Sequence, residues 1–259
     1  MIDRSSPPIS IPPISEEHRA EVLRAVNRPR LHWWRAFSDW AQSFIFAVAL
    51  FIVIKTFFIE AFKIPSGSME QTLLVGDFLL VNKAVYGAEI PFTGHHLPAL
   101  AQPDHGDVIV FEWPIDRSKN FVKRLIGLPG DTVEMRDGVL VRNGQMLREP
   151  YVQHVQPTSD PSMDDFRWQR DYLVRRAEAR AGYHPSRNTW GPLVVPPKMY
   201  FVLGDNRDDS WDSRYWGFVP DSLVKGRPLV IYYSYERDSM RRFPWITNIR
   251  WGRLGERIR

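Results

Sequence analysis

From Ser43 to Ile59 the chain reads SFIFAVALFIVIKTFFI, apolar on every side of a helix rather than along one stripe. Trp40 extends this run at one end and Ala61–Phe62 at the other. A bilayer core of about 30 Å needs roughly 20 helical residues, and 40–62 supplies that length. A buried core helix is the alternative, but it would usually carry a polar face. Lys55 sits near the far end, where its stem can snorkel to the headgroups. A cleavable secretory signal would begin within the first few residues and end at a small-residue site. This run starts far later, so it reads as an uncleaved transmembrane helix.

Flanking cations give the direction. Arg24, Arg28, Arg30 and Arg35 precede the helix and only Lys63 follows closely, while Trp33, Trp34 and Trp40 suit the interface. The expectation is a single pass in the plasma membrane, with residues 1–39 a cytoplasmic tail and everything beyond 62 outside. Within that tail, 1–13 is Pro/Ser-rich and reads as disordered, and 15–35 suits a short polar helix.

Composition narrows what the outer part can do. The chain has 259 residues, enough for one or two domains, and no cysteine. Disulfides, cysteine-ligated metals and a thiol nucleophile are therefore excluded. A net charge of +4 is too small to argue for nucleic acid. Past the helix, strand signals dominate: Phe78–Asn82, Val108–Glu112, Phe121–Ile126, Met199–Leu203 and Leu229–Tyr235 are short, apolar and bounded by turn formers. Asp137-Gly138 and Asn143-Gly144 each separate alternating runs, which predicts a three-strand meander over 133–147. Residues 151–198 are Arg-rich with little alternation and read as an insertion of loop, with a short helix at 164–181.

The usual catalytic patterns are missing. None of the seven histidines has a metal-ligand spacing, and adjacent His95 and His96 lie in a Pro/Gly-rich loop. No phosphate-binding glycine loop or GxSxG elbow is present, and neither Ser66 nor Ser68 opens an SxxK motif. Three stretches remain. In Ile64-Pro-Ser-Gly-Ser-Met69, Pro65 and Gly67 force a bend that presents Ser66 and Ser68. In Phe121-Val-Lys-Arg-Leu-Ile-Gly-Leu-Pro-Gly-Asp131, a strand would put Lys123 on one face with Phe121 and Leu125. Apolar neighbours would lower its pKa and favour the neutral amine. Gly204–Gly217 is dense in side chains that bond their own backbone, and its aromatics suggest a packed loop. Each alone also reads as a turn, an edge-strand lysine or a surface loop. Together they offer a serine nucleophile and, with no histidine placed beside it, a lysine base.

At these residues the chain resembles the bacterial type I signal peptidases, membrane-bound serine proteases that remove secretory signal peptides. The resemblance rests on IPSGSM (64–69), GDFLLVNK (76–83), KRLIGLPGD (123–131) and GDNRDDSWDSRYWGFVP (204–220), in that order. It implies a mainly β protein. An antiparallel-sheet catalytic domain (63–131 and 199–259) would carry an inserted smaller β domain (132–198), behind one transmembrane helix at 40–62. It also implies Ser68 as nucleophile, Lys123 as general base and Ser66 in the oxyanion hole. Ser210 would orient the lysine, with Asp205 and the Asp212–Arg214 pair in support. Phe62, Ile64, Pro65, Met69, Leu73, Phe121 and Val122 would line shallow pockets for small residues, of Ala-X-Ala type, before the cut. The substrate would add a strand along Phe121–Leu125. Signal peptides and the phospholipid bilayer are the expected partners; no nucleic acid, metal or cofactor is expected. The family commonly carries proline where this chain has Gln71, which would leave the bend less rigid.

Two other readings compete. A soluble Ser/Lys autoprotease of the repressor type would carry a DNA-binding helical pair where the apolar helix stands. A catalytically inactive membrane-anchored scaffold would not need Ser66, Ser68, Lys123 and Ser210 together. Finally, residues 237–259 carry seven arginines interleaved with Phe243, Trp245, Ile246, Ile249 and Trp251. This basic-aromatic tail is expected to rest among lipid headgroups.

Overall fold

The computed structural model describes residues 15–26, 32–90, 93, 95, 97–155, 160, 164–174, 182–237 and 242–258. The chain divides into two units, Met1–Phe51 and Ile52–Arg259. The expected disordered tail at 1–13, Arg28, Arg30 and His96 lie outside the described residues, as do the side chains of Arg24 and Arg35.

The polar helix expected over 15–35 is α1 (Glu16–Val26), with two acidic residues in its first turn where they complement the helix dipole. The apolar run forms α2 (His32–Phe57). Its membrane-compatible stretch is Ala36–Phe57, 22 residues with none of it buried in protein. At 1.5 Å per residue that is about 33 Å, enough for a bilayer core. Trp34, Phe37, Trp40 and Phe44 form a contiguous aromatic series along this helix. The helix ends five residues before the expected boundary at 62. Ile59–Lys63 instead forms strand β1, whose residues alternate between exposed and half-buried, paired antiparallel with β2 (Asp77–Asn82).

The second unit is built on two antiparallel sheets. The larger joins seven strands in the order β1-β2-β11-β3-β4-β9-β10. Here β3 is Val108–Glu112, β4 Asn120–Gly127, β9 Met199–Leu203, β10 Val219–Pro220 and β11 Val224–Ser234. Strand β11 pairs with β3 at its start and with β2 along the rest, shifting register as it crosses. The expected meander is β5 (Thr132–Arg136), β6 (Val139–Arg142) and β7 (Gln145–Met146), completed by β8 (Trp190–Val194). Asp137-Gly138 and Asn143-Gly144 have positive φ at all four residues, which these tight hairpins require. The helical stretch expected at 164–181 is a 3-10 segment over Asp164–Tyr172; 175–181 lie outside the described residues.

The inserted sheet shares its core with the larger one. Val133, Met135, Leu140, Trp190 and Leu193 bury against Ile126 of β4 and Phe201 and Leu203 of β9, so its inner face covers the back of the larger sheet. The basic segment at the carboxyl end is tied to the same unit. Arg253 donates to buried Asp77 at 2.7 Å, Arg250 to the Val75 carbonyl, and Ile258 is buried. Gln71 has a φ of 82°. Proline is locked near −65°, so the family's usual residue could not occupy this backbone, and the bend is held by Thr72 and Leu73 N–H bonds to the Met69 carbonyl.

Candidate active site

Strand order places the three candidate stretches at one spot. Strand β4 pairs with β3 along Asn120–Arg124, but its other edge meets β9 only from Arg124 onward. Asn120–Lys123 therefore keeps a free backbone edge, shorter than the Phe121–Leu125 edge expected, because Leu125 is already paired with Val202. Across from this edge runs the segment leaving β1. Between them lies a cleft of about 270 Å³, lined by Phe62–Met69, Asn120–Lys123, Asp209 and Trp211.

Lys123 and Ser68 meet on the cleft floor. The lysine Nζ donates to Ser68 Oγ at 2.5 Å, and both side chains are buried. Burial pushes the Lys123 pKa down to about 8; Asp212 opposes this and Arg214 reinforces it. Among the described residues no carboxylate forms an ion pair with Lys123. Its amine also lies 5.7 Å from the Phe121 ring centroid. Neither the Ser68 N–H nor the Ser66 hydroxyl donates to another described residue, and both line the same cleft.

The loop after β9 holds the serine in place. Asn206 N–H donates to the Ser68 carbonyl at 3.1 Å, and the Asn206 side chain to the Gly67 carbonyl. Gly204 passes so near that a Cβ there would strike the Ser68 carbonyl oxygen and Ser210 Oγ. Ser210 Oγ itself is buried and makes no hydrogen bond among the described residues, so the expected bond to Lys123 is not formed.

Three buried arginines anchor this loop, each on a carboxylate. Arg124 is bidentate to Asp205 at 2.8 and 2.6 Å, and also donates to the Gly106 carbonyl. Arg214 is bidentate to Asp212 at 2.8 Å, and Asp212 caps the short helix α3 (Ser213–Trp216) by accepting from the Arg214 N–H. Burial pushes the Asp212 carboxyl up, but the guanidinium outweighs it and holds the group below its ordinary range. Arg207 is bidentate to Glu149 at 2.8 and 2.6 Å and donates to the Gly204 carbonyl.

Of the expected pocket residues, Phe62, Ile64, Pro65, Met69, Phe121 and Val122 line the cleft, whereas Leu73 is fully buried in the core behind it. Leu73 lies there because the turn after Ser68 directs it inward onto Leu79 and Val81. Glu149, Tyr151, Arg207, Asp209 and Trp211 were not foreseen. Tyr151 stacks on the Arg124 guanidinium at 3.8 Å and donates to Glu149, while Gln153 pairs in parallel with the loop at Asn206. Nothing in the local pattern of 149–153 marks a partner more than fifty residues away.

The profile of the family described as "Signal peptidase, peptidase S26" matches residues 37–233. Signal peptidase I of Pseudomonas aeruginosa is 36% identical over 236 residues, covering 86% of this chain and 80% of that protein. The Aquifex aeolicus signal peptidase I is 34% identical over 222 residues, covering 73% and 82%. That of Leptolyngbya laminosa is 37% identical over 199 residues, covering 74% and 77%.

The Glu149–Arg207 pair yields a stability test. Both side chains are at least nine-tenths buried, so Glu149→Gln leaves a buried guanidinium without its counter-charge, at a cost of about 3 kcal/mol or more. Thermal melting should fall by roughly 10 °C. The double variant Glu149→Leu/Arg207→Met should recover part of that loss, and an unchanged Tm in the single variant would contradict the assignment.

Proposed function

Because this chain belongs to the signal peptidase family, peptidase S26, whose members are serine peptidases that remove signal peptides, we propose that it does so with Ser68 as nucleophile and Lys123 as general base. The 2.5 Å approach of a desolvated amine to a buried serine hydroxyl carries this reading. Neutral Lys123 accepts the Ser68 proton as Oγ attacks the scissile carbonyl. The Ser68 N–H and Ser66 hydroxyl, which donate to no other described residue, hold the oxyanion. The acyl-enzyme forms as Lys123 hands that proton to the departing amine, and the neutral Lys123 then takes a proton from the water that attacks the ester and releases the acid. The Asp212–Arg214 pair holds the loop beside the lysine.

Substrate enters as an extended strand on the free Asn120–Lys123 edge. The apolar walls from Phe62, Ile64, Met69, Phe121 and Val122 suit small side chains before the cut, in the Ala-X-Ala pattern. Purified Ser68→Ala and Lys123→Met should each lose about a thousandfold or more in cleavage of such a peptide. Substantial residual turnover in either would exclude the dyad. For the unaltered enzyme, kcat/KM should rise about tenfold per pH unit below about pH 8, where Lys123 is half deprotonated, and level off above it. A flat profile from pH 6 to 9 would rule out a lysine base.

The helix over Ala36–Phe57 anchors the enzyme in the plasma membrane, with the amino terminus cytoplasmic and the catalytic unit outside. The preceding arginines in the sequence support this direction. Protease added to intact spheroplasts should digest residues beyond 62 and spare the amino-terminal tail; the opposite protection would reverse the topology.

The catalytic unit also touches the bilayer itself. Phe243, Trp245, Ile246 and Trp251 expose half or more of their surface among arginines, although the segment is pinned at Arg250 and Arg253. Such rings seat in the headgroup region. Trp245→Ala combined with Trp251→Ala should lower cleavage of a vesicle-borne preprotein several-fold while cleavage of a short soluble peptide in detergent holds. An equal fall for both substrates would make these residues part of the folded core instead.

A further inference from the structure

The cleft has a wall that the small-residue pockets leave unused. Strand β4 offers a free edge only up to Lys123; beyond it that edge is taken by β9, and the loop that follows bonds back to the Ser68 carbonyl through the Asn206 N–H. Two side chains of that loop, Asp209 and Trp211, line the cleft, and the Asp209 charge acts on Lys123. For a peptide lying along Asn120–Lys123 with its scissile carbonyl at Ser68 Oγ, these two side chains are the part of the lining left for the residues after the cut.

Trp211 is built as a rigid platform. One indole face stacks on Tyr215, centroids 4.4 Å apart, and Tyr215 packs edge-on against buried Phe166. Tyr215 lies on α3, whose amino end is tied down by Asp212. With this backing, Trp211 still leaves 48% of its surface exposed. An exposed apolar face held by a stack binds apolar groups without ordering itself first. Asp209 is exposed, and among the described residues its carboxylate accepts no hydrogen bond and forms no ion pair. Glu149, Asp205 and Asp212, by contrast, are each claimed by an arginine.

We propose that Trp211 and Asp209 form a specificity site for the leaving-group side of the scissile bond, favouring a large apolar or aromatic residue just after the cut and disfavouring an acidic one. The inference rests on the Ser68/Lys123 reading and on the peptide lying along β4. Trp211 supplies contact area to the departing chain, and the Asp209 charge repels a carboxylate there. Because Asp209 is in water, its effect is screened by salt, whereas the indole contact is not.

The test uses the full-length enzyme in detergent and peptides identical up to an Ala-X-Ala site, with Phe, Ala or Glu at the first or second position after it. The unaltered enzyme should cleave Phe peptides about 5- to 10-fold better than Ala peptides in kcat/KM. Trp211→Ala should bring this ratio to about one and Trp211→Phe should keep most of it. Asp209→Asn should raise Glu peptides about threefold relative to Ala peptides at low salt, and 0.5 M salt should erase the difference in the unaltered enzyme. Preferences among residues before the cut should not move. The proposal is overturned if the Phe/Ala ratio survives Trp211→Ala, or if selectivity before the cut shifts with it. Ser68→Ala, run beside these variants, separates this failure from that of the dyad: residual turnover there overturns the catalytic reading, whatever the selectivity ratios do.

Discussion

The chemistry of the site depends on a lysine that is buried without a counter-ion. An ammonium taken out of water normally draws in a carboxylate, and the ion pair that results keeps it protonated. Of the acids whose charges act on it, Asp205 is held by Arg124 and Asp212 by Arg214, while Asp209 is exposed to solvent. Arginine stays charged at any relevant pH and its fork matches a carboxylate in two bonds. Arg124 and Arg214 each therefore remove one acid from competition for the lysine. What remains for the amine is the Ser68 hydroxyl, and desolvation takes its pKa to about 8.

The same arginines, with Arg207, explain how a polar loop can be rigid. Their side chains are among the largest fully buried in the protein, and each also donates to a carbonyl: Gly106 for Arg124, Gly204 for Arg207 and Arg207 for Arg214. The backbone of the loop is thus tied to the strand carrying Lys123 and to the carbonyl of Ser68. The insertion contributes to this directly. Glu149 and Tyr151 close over Arg207 and Arg124, while the meander packs against the back of β4 and β9. A region that reads as variable loop is therefore part of the support of the site.

Several features were legible because they depend on local rules. A long run without a polar face forms an exposed helix, Asp-Gly and Asn-Gly make hairpins, and alternating apolar runs make strands. The same reading placed the helix end too far along. Residues 59–63 carry enough apolar side chains to prolong a helix, and only the offer of β2 as a pairing partner makes them β1. Gln71 shows a similar limit, since its left-handed backbone follows from the turn that buries Met69 and Leu73.

The amino-acid order by itself determined the apolar helix, the mainly β character, the absence of thiol chemistry and the identity of Ser68 and Lys123 as a candidate pair. Tertiary structure alone decided which acid meets which arginine and where the free edge of β4 stops. It also decided that Leu73 is core and Trp211 wall. The physical reason is range. Propensity, turn chemistry and periodicity act over a few residues. The desolvation of Lys123, by contrast, is produced by groups from Ser68 to Arg214, which only the pairing of β3, β4 and β9 brings together.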